Sequence, residues 1–347
     1  MVLITGIGNP LLDVIVNLCD NEVLKKYNLK EDEEKETSIE NIKLIIDDLS
    51  MLESHFTPGG CVQNTLRLLQ WILGKSNTTV MFGCVGKDEQ GKILKTLIEA
   101  SGVQTQYIEH DNEPTGTSLV LISGTSRTLL AHIGAAQQIS VEDLQSIKMK
   151  TILESSDLIY MEGFFISNRV DVAREIQEHC NTNKILFTFN LSGVYMIEKY
   201  PKDILHFART CDVLVGNRRE FKALINYTNI NVTVEHFATA ISENYSNAKD
   251  LPYGKIVVIT DGSGPLFCSY SGKTSKTMNV PKIDENKIKD TNGAGDAFVA
   301  GFLAALLNKR TPVCCMKWGC WVAQQVMQQI GCCTPPYSAE FLYNIDD

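Results

Sequence analysis

Positive charge is scarce in this 347-residue chain. Its 32 Lys and Arg stand against 41 Asp and Glu, a formal charge of −9, and that balance excludes the broad cationic surface needed to bind nucleic acid or an anionic membrane. Any phosphate site must therefore be local. Long apolar runs are missing as well: the longest, around 297–307, is about half the length of a membrane span. The first residues, Met1-Val2-Leu3-Ile4-Thr5-Gly6, lack a basic segment and a long apolar core, so they predict a first strand and not a signal peptide. A cytoplasmic protein is expected, in which a sequon such as Asn77-Thr78-Thr79 is accidental. The eleven cysteines lack the spacing of a metal site or disulfide framework, because the close ones are the vicinal pairs Cys314–Cys315 and Cys332–Cys333. Reduced, mostly buried thiols are the expectation. There is no internal repeat, and no Pro/Ser-rich linker splits the chain.

What is present is material for one large core. Hydrophobic residues make up 44% of the chain, enough for a large α/β domain with a small appendage. Short β-branched or apolar runs at 3–7, 79–84, 118–122, 158–162, 185–190, 213–215 and 256–260 predict strands. Helical periodicity falls between them, at 63–73, 91–100, 170–180, 234–245, 296–307 and 312–329. Alternation of this kind predicts a doubly wound parallel sheet covered on both faces, a three-layer α/β/α fold. The stretch 19–56 is charge-dense instead. It reads either as a solvated helix and loop or as part of a lid over the carboxyl edge of the sheet, where ligands of open α/β folds bind.

The strongest motif is Asp290-Thr291-Asn292-Gly293-Ala294-Gly295-Asp296-Ala297-Phe298, which runs straight into a helix pattern. Three small residues at a helix start let successive backbone N–H groups point into one cavity, and the helix dipole adds a preference for an anion. An aspartate beside such an anion hole can accept a proton from an attacking hydroxyl. The plainer reading of Asp296 is a helix N-cap after a glycine turn.

This nine-residue string resembles the C-terminal signature of the ribokinase-like (PfkB) carbohydrate and nucleoside kinase family, in the form found in adenosine kinases. Further landmarks follow in the family's order from about residue 3 to 336. Gly8-Asn9-Pro10-Leu11-Leu12-Asp13 resembles the N-terminal strand and turn. There the resemblance makes Asp13 the ligand of the ribose 2′- and 3′-hydroxyls, with Asn9 and Leu11 beside the substrate, and a carboxylate suits a cis-diol. Pro58-Gly59-Gly60-Cys61-Val62-Gln63-Asn64 resembles a Gly-Gly-x-x-x-Asn element in which Gly59, Gly60 and Asn64 face the sugar, although Cys61 stands where many relatives carry Ser. Ser123-Gly124-Thr125-Ser126-Arg127 resembles the stretch whose arginine, here Arg127, meets the transferring phosphoryl group. Gly163-Phe164-Phe165 resembles the aromatic wall of the adenine pocket, with Phe164 against the base.

On the nucleotide side the resemblance implies ATP contacts from Asn190, from Asn217, from Thr260, Gly262 and Gly264, and from Asn292, Gly293 and Gly295, with Asn292 also near the substrate. Asn217-Arg218-Arg219-Glu220 resembles an Asn-x-x-Glu element, in which Asn217 and Glu220 organise Mg²⁺ and its waters. Asp296 becomes the base, assisted by Gly293, Ala294, Gly295 and Arg127. Gly86-Lys87-Asp88-Glu89-Gln90-Gly91-Lys92-Ile93 nearly spells a phosphate loop, but Ile93 lacks the hydroxyl for Mg²⁺, so a turn before a helix is predicted. Two departures concern base contacts: Glu33-Glu34-Lys35-Glu36 where an apolar lid residue is usual, and Gly319-Cys320-Trp321 where Gly-His-Tyr is common.

The implied function is ATP- and Mg²⁺-dependent phosphorylation of the adenosine 5′-hydroxyl by a monomer. The alternatives are an inosine, guanosine or sugar kinase of the same fold, or a catalytically dead binding protein. The implied domains are a large one (1–13 and 57–347, less a lid segment) and a lid (14–56 and 108–130).

Overall fold

The computed structural model describes residues 2–31, 33–75, 78–124, 126–243, 251–270, 272 and 274–345. The chain opens with β1 (Ile4–Ile7) and β2 (Leu11–Asn17), then runs through α1 (Glu22–Lys26), β3 (Glu34–Glu36), α2 (Ile39–Asp48) and β4 (Ser54–Gly59) into α3 (Cys61–Leu73). β5 (Thr79–Gly86), α4 (Glu89–Ala100), β6 (Gln104–His110), β7 (Gly116–Ser123) and β8 (Ser126–His132) follow. Next come α5 (Val141–Leu144), α6 (Ile147–Ser155), β9 (Leu158–Glu162), α7 (Val170–Thr182), β10 (Leu186–Asn190), α8 (Val194–Lys199), α9 (Pro201–Thr210) and β11 (Val213–Asn217). The last part holds α10 (Arg218–Thr228), α11 (Val234–Glu243), β12 (Ile256–Thr260), β13 (Leu266–Tyr270), β14 (Thr274–Met278), α12 (Ala294–Leu307) and α13 (Pro312–Met327). The helix expected at 234–245 is described as far as Glu243; 244–245 lie outside the described residues.

Nine strands form the main sheet in the order β14-β13-β12-β11-β10-β9-β1-β5-β6. All neighbours are parallel except β12–β13 and β13–β14. Both faces are buried, as a parallel sheet requires, and the strands divide their side chains between them. In β12, Ile256 and Val258 join the core under α3, α12 and α13, while Val257 and Ile259 join the core on the other face. From β1 the chain winds one way through β5 and β6 and the other way through β9 to β12. The strand order thus reverses between β1 and β9, and a crevice opens at the carboxyl ends of strands at such a switch point.

A second sheet, ordered β3-β8-β7-β2-β4, covers that edge. Its outer face packs Val14, Val16, Leu119, Leu121 and Leu130 against Leu24 of α1 and Ile42 and Ile45 of α2. Period-two alternation then turns Asp13 and Arg127 to the opposite face. The boundaries differ from the sequence expectation at four points, one being that 57–59 belong to β4 of the small sheet. Leu11–Asp13 belong to the small sheet, because Pro10 interrupts the line of β1 and β2 pairs with β4 and β7. The small sheet also keeps Ala131 and His132, whereas 108–110 stay in the large sheet as part of β6, paired with β5.

The near-phosphate-loop at 86–93 is a turn. Asp88 caps α4 by accepting from the Gly91 N–H (2.8 Å) and also takes the Thr115 N–H (2.8 Å), fastening the entry to β7. Gly319-Cys320-Trp321 lies within α13 and is packing: Cys320 is buried, and Trp321 stacks with Trp71 and Phe341. Glu34–Glu36 form β3, the edge strand of the small sheet, with Lys35 and Glu36 exposed.

α12 and α13 cross closely because both are glycine at the contact. A Cβ on Gly319 would stand 2.7 Å from the Phe298 ring and 2.9 Å from the Phe298 carbonyl oxygen. Gly319→Ala is therefore expected to destabilise the protein by about 1–3 kcal/mol through overpacking, read as a lower urea midpoint at unchanged slope. An unchanged midpoint would contradict this account of the crossing.

Candidate active site

The first turn of α12 brings the signature motif to the crevice. Gly293, at φ +70°, turns the chain into the helix, a conformation L side chains rarely adopt, and any Cβ there would lie 2.4 Å from Cys332 Sγ. Gly295 is exposed, and a Cβ on it would meet nothing within 4 Å. The turn is thus open to its surroundings at Gly295 and covered by Cys332 at Gly293. Asp296 is 8% exposed and does not cap its own helix, since Gly293 holds the N-cap position with no side-chain cap. Its carboxylate accepts from Asn64 Nδ2 of α3 (3.0 Å), and Thr65 Oγ1 donates to its main-chain carbonyl (3.4 Å). The N-cap reading of Asp296 is thus replaced by a buried carboxylate held from a neighbouring helix.

Asp290, at the start of the motif, is a fastening point. It accepts the N–H groups of Asn292 and Gly331 (2.8 Å each) and faces Arg127 Nη1 of the small sheet at 3.7 Å. The fields of Arg127, on the same face of the small sheet, and of Arg67 of α3 act on Asp13. Gly59 lies against this carboxylate so tightly that a Cβ would fall 1.9 Å from its Oδ1. Gly60, at φ +84°, abuts the Asn9 carbonyl and starts α3. The structure therefore brings together Asp13, Gly59, Gly60, Asn64, Arg127 and Asp296.

At the switch point itself Asn9 is a strut. Arg169 Nη2 donates to its Oδ1 (2.7 Å) and its Nδ2 donates to the Phe164 carbonyl (3.3 Å), tying β1 to the turn after β9. Beyond these two bonds the amide keeps one N–H and one lone pair. Phe164 is part-buried and stacks on the exposed Tyr195 at 5.7 Å between ring centroids. Leu11 is part-buried at the start of β2.

Along the carboxyl edge Glu162, Asn190, Asn217 and Thr260 end β9, β10, β11 and β12. Asn190 bonds Tyr160 OH (3.3 Å) and the Ser192 N–H (3.2 Å). Asn217 and Glu220 make a reciprocal capping box on α10: Asn217 Oδ1 accepts the Glu220 N–H (2.9 Å), and Glu220 accepts from Asn217 N (2.8 Å) and Nδ2 (2.6 Å). Gly262 and Gly264 form the turn after β12, where Asp261 ion-pairs with Arg218 at 2.7 Å, and Arg218 reaches Glu235 at 2.7 Å.

Sequence reasoning missed Arg67, whose Nη1 donates to the Cys332 carbonyl (3.1 Å), as well as Arg169, Arg218 and Glu162. Only Glu162 left a sign, a carboxylate closing an apolar strand directly before Gly163. Thr125, in the Arg127 motif, lies outside the described residues.

Four carboxyls here share one electrostatic condition. Burial pushes Asp13 up to about 6 against the field of Arg127, Glu220 to about 7, Asp296 to about 7 against bonds from Asn64 and Cys61, and Glu162 to about 8 with a further push from Asp296. Carboxyls at a crevice with basicity near neutrality make it a candidate site of proton transfer.

An α/β phosphotransferase is the class defined by this three-layer fold, its lid sheet, and an open helix N-terminus beside a buried aspartate. Residues 41–339 match the pfkB family carbohydrate kinase, and the chain belongs to that family. It is 32% identical over 339 residues to adenosine kinase 2 of Arabidopsis thaliana, covering 96% of each chain. Its structure is similar to that of Anopheles gambiae adenosine kinase in complex with P1,P4-di(adenosine-5) tetraphosphate, with a TM-score of 0.85, 33% identity, and 95% of this chain and 96% of that one covered. It is also similar to Schistosoma mansoni adenosine kinase in complex with 2-fluoroadenosine, with a TM-score of 0.86, 27% identity, and coverage of 96% and 97%.

The buried carboxyls set a pH dependence of stability. Each holds its proton more tightly folded than unfolded, so its contribution is complete below its unfolded value and is lost as pH rises through about 6–8. His206, pushed down by burial, works in the opposite direction but is only one group. The ligand-free protein should melt several degrees lower at about pH 8.5 than at about pH 5.5. A calorimetric Tm that stays level or rises across this range would contradict the burial of these groups.

Proposed function

We propose that this phosphotransferase is an adenosine kinase, which moves the γ-phosphoryl group of ATP onto the adenosine 5′-hydroxyl to give AMP and ADP. The observation that carries the reading is the buried Asp296 carboxylate in the first turn of α12, facing Asp13 of the small sheet, with Arg127 of that sheet at the neighbouring Asp290. On this reading Asp13 accepts from the ribose 2′- and 3′-hydroxyls, and Phe164 with Tyr195 offers a flat apolar face to the base. Asp296 takes the proton of the 5′-hydroxyl as its oxygen attacks in line. Its basicity near 7 suits that task at neutral pH. The N–H groups of residues 293–295 and the Arg127 guanidinium stabilise the charge on the transferring group. The small sheet covers the crevice and keeps water from the phosphate.

Magnesium fits the donor set. Glu220 is a buried carboxylate raised to about 7, and each of its oxygens keeps a lone pair after accepting from Asn217. Asn217 and Glu220 would hold the ion through its water shell, and the bound ion would neutralise phosphate charge. The covered outer face of the small sheet, closed by α1 and α2, supports action as a monomer. Among the described residues no helix is long and apolar enough to cross a membrane, and we place the protein in the cytoplasm, where its cysteines, all free thiols, stay reduced.

Two substitutions test the reading, with adenosine, inosine, guanosine and ribose compared as acceptors; ribose as the best acceptor would overturn it. Asp296→Asn keeps the bond from Asn64 in shape but removes the basicity. Its single-turnover transfer rate should fall by about 10³, within the 10²–10⁴ typical of a lost base, with Tm not lowered. A near-normal rate in the folded variant would remove Asp296 as base. Glu220→Gln keeps the capping box, since Gln serves at that position, and should raise the Mg²⁺ concentration for half activity about tenfold while adenosine binding stays constant. An unaltered Mg²⁺ dependence would remove Glu220 from the metal site.

A further inference from the structure

Glu162 is the most deeply buried carboxyl at the crevice, 1% exposed at the end of β9. A carboxyl so placed must be paired or keep its proton. Five groups face it: Asp296 of α12, the Cys61 thiol and Val62 N–H at the start of α3, Arg169 ahead of α7, and Tyr160 on its own strand. Arg169 does not neutralise it at contact distance. That guanidinium bonds Asn9 Oδ1 and the carbonyls of Ala136 and Ser167, and it stacks over Phe165 at 4.3 Å. Glu162 Oε2 has no hydrogen-bond partner among the described residues. Asp296 in turn faces Asp13 from the small sheet and Cys332 from the turn that closes over Gly293.

Cys61 stands between the two carboxyls, with its thiol in hydrogen-bonding reach of both. A thiol has one hydrogen to give and a sulfur that accepts. One arrangement serves all three groups: the Glu162 O–H donates to Cys61 Sγ, and the Cys61 S–H donates to an ionised Asp296. We propose that Glu162 is a positioning residue of the catalytic centre, which keeps its proton while Asp296 is ionised and, through Cys61, holds the pair to a single negative charge facing the phosphate. This rests on the reading of Asp296 as the base.

Two neighbouring buried carboxyls lose their protons in sequence and as a pair. Here the first step, near 7, gives the ionised Asp296, and the second, near 8, ionises Glu162 against the charge already present. Below the first step there is no base. Above the second a dianion faces the triphosphate, so transfer should slow on the alkaline side, and that limb belongs to Glu162.

The test is the pH profile of single-turnover transfer from saturating MgATP to adenosine, in the wild type and in Glu162→Gln, whose amide mimics the protonated acid. Between about pH 7.5 and 9.5 the wild-type rate should fall at least about tenfold, and that of Glu162→Gln less than about threefold. An alkaline limb unshifted in Glu162→Gln would overturn the proposal. Infrared difference spectroscopy of the ligand-free wild type tests the proton itself, with no need for the variant to fold. A protonated-carboxyl C=O band should persist above about pH 7, where Asp296 and Glu220 ionise, and vanish as pH rises through about 8. No such band above about pH 7 would overturn it. Should the protein phosphorylate no nucleoside, the adenosine reading fails alone, and the infrared titration still decides Glu162.

Discussion

On the proposed reading, the first turn of α12 must remain open to an anion while the carboxylate one residue further along is kept dry. Gly295 and Asp296 meet these opposed demands side by side, one exposed with free space above it and the other buried against α3. Much of the surrounding structure follows from that constraint. α3 must lie against α12 in the register that presents Asn64 and Thr65 to Asp296. α13 must hold α12 from behind, which the close approach at Gly319 permits. The turn carrying Cys332 must close over Gly293, and Arg67 secures it by bonding the Cys332 carbonyl.

Holding carboxyls out of water has a cumulative cost. Asp13, Glu162, Glu220 and Asp296 are all raised chiefly by desolvation, and none ion-pairs closely with an arginine. The guanidinium of Arg67 bonds a main-chain carbonyl, that of Arg169 bonds an amide and two carbonyls, and that of Arg127 lies 3.7 Å from Asp290. A fold selected for stability alone would pair or expose these groups. Placing them along the carboxyl edge of the sheet and the lid facing it costs stability and gives carboxyls with basicity near neutral pH.

The apolar interior of the fold was legible in the sequence. The strands Leu158–Glu162 and Ile256–Thr260 have the predicted ends, and α3 and α12 begin within two residues of theirs, because doubly buried strands and amphipathic helices carry their pattern in composition. The missed strands include the buried β2 and β13, whose apolar runs are short, and two polar edges. Gln104–His110 and Thr274–Met278 present too little apolar side chain to register, and their pairing is set by backbone bonds to β5 and β13. At the site, the glycine-rich turns and the aspartates were readable because their chemistry needs a local string. Glu162, Arg67 and Arg169 were not, since a single charged residue looks the same whether solvated or buried. Only tertiary packing takes Glu162 out of water and sets it against Cys61, which in sequence was no more than a departure from Ser.

Arg127 sits in the small sheet and acts both on Asp13 of that sheet and on Asp290 ahead of α12. Its ion pair with Asp290 joins β8 to the start of the α12 motif, and its field lowers the otherwise raised Asp13. At 3.7 Å the contact with Asp290 is longer than the 2.7–2.9 Å of a tight charge-assisted bond. A phosphate over residues 293–295 would therefore meet an arginine already brought across the crevice but not locked to its carboxylate partner. Asp290 loses little if the arginine turns away, since it keeps the N–H bonds from Asn292 and Gly331 that fix the motif. One residue thus links the sugar side, the anion side and the closure of the small sheet. On the proposed reading, charge balance at the site is complete only with the small sheet in place, the arrangement that also excludes water from the phosphate.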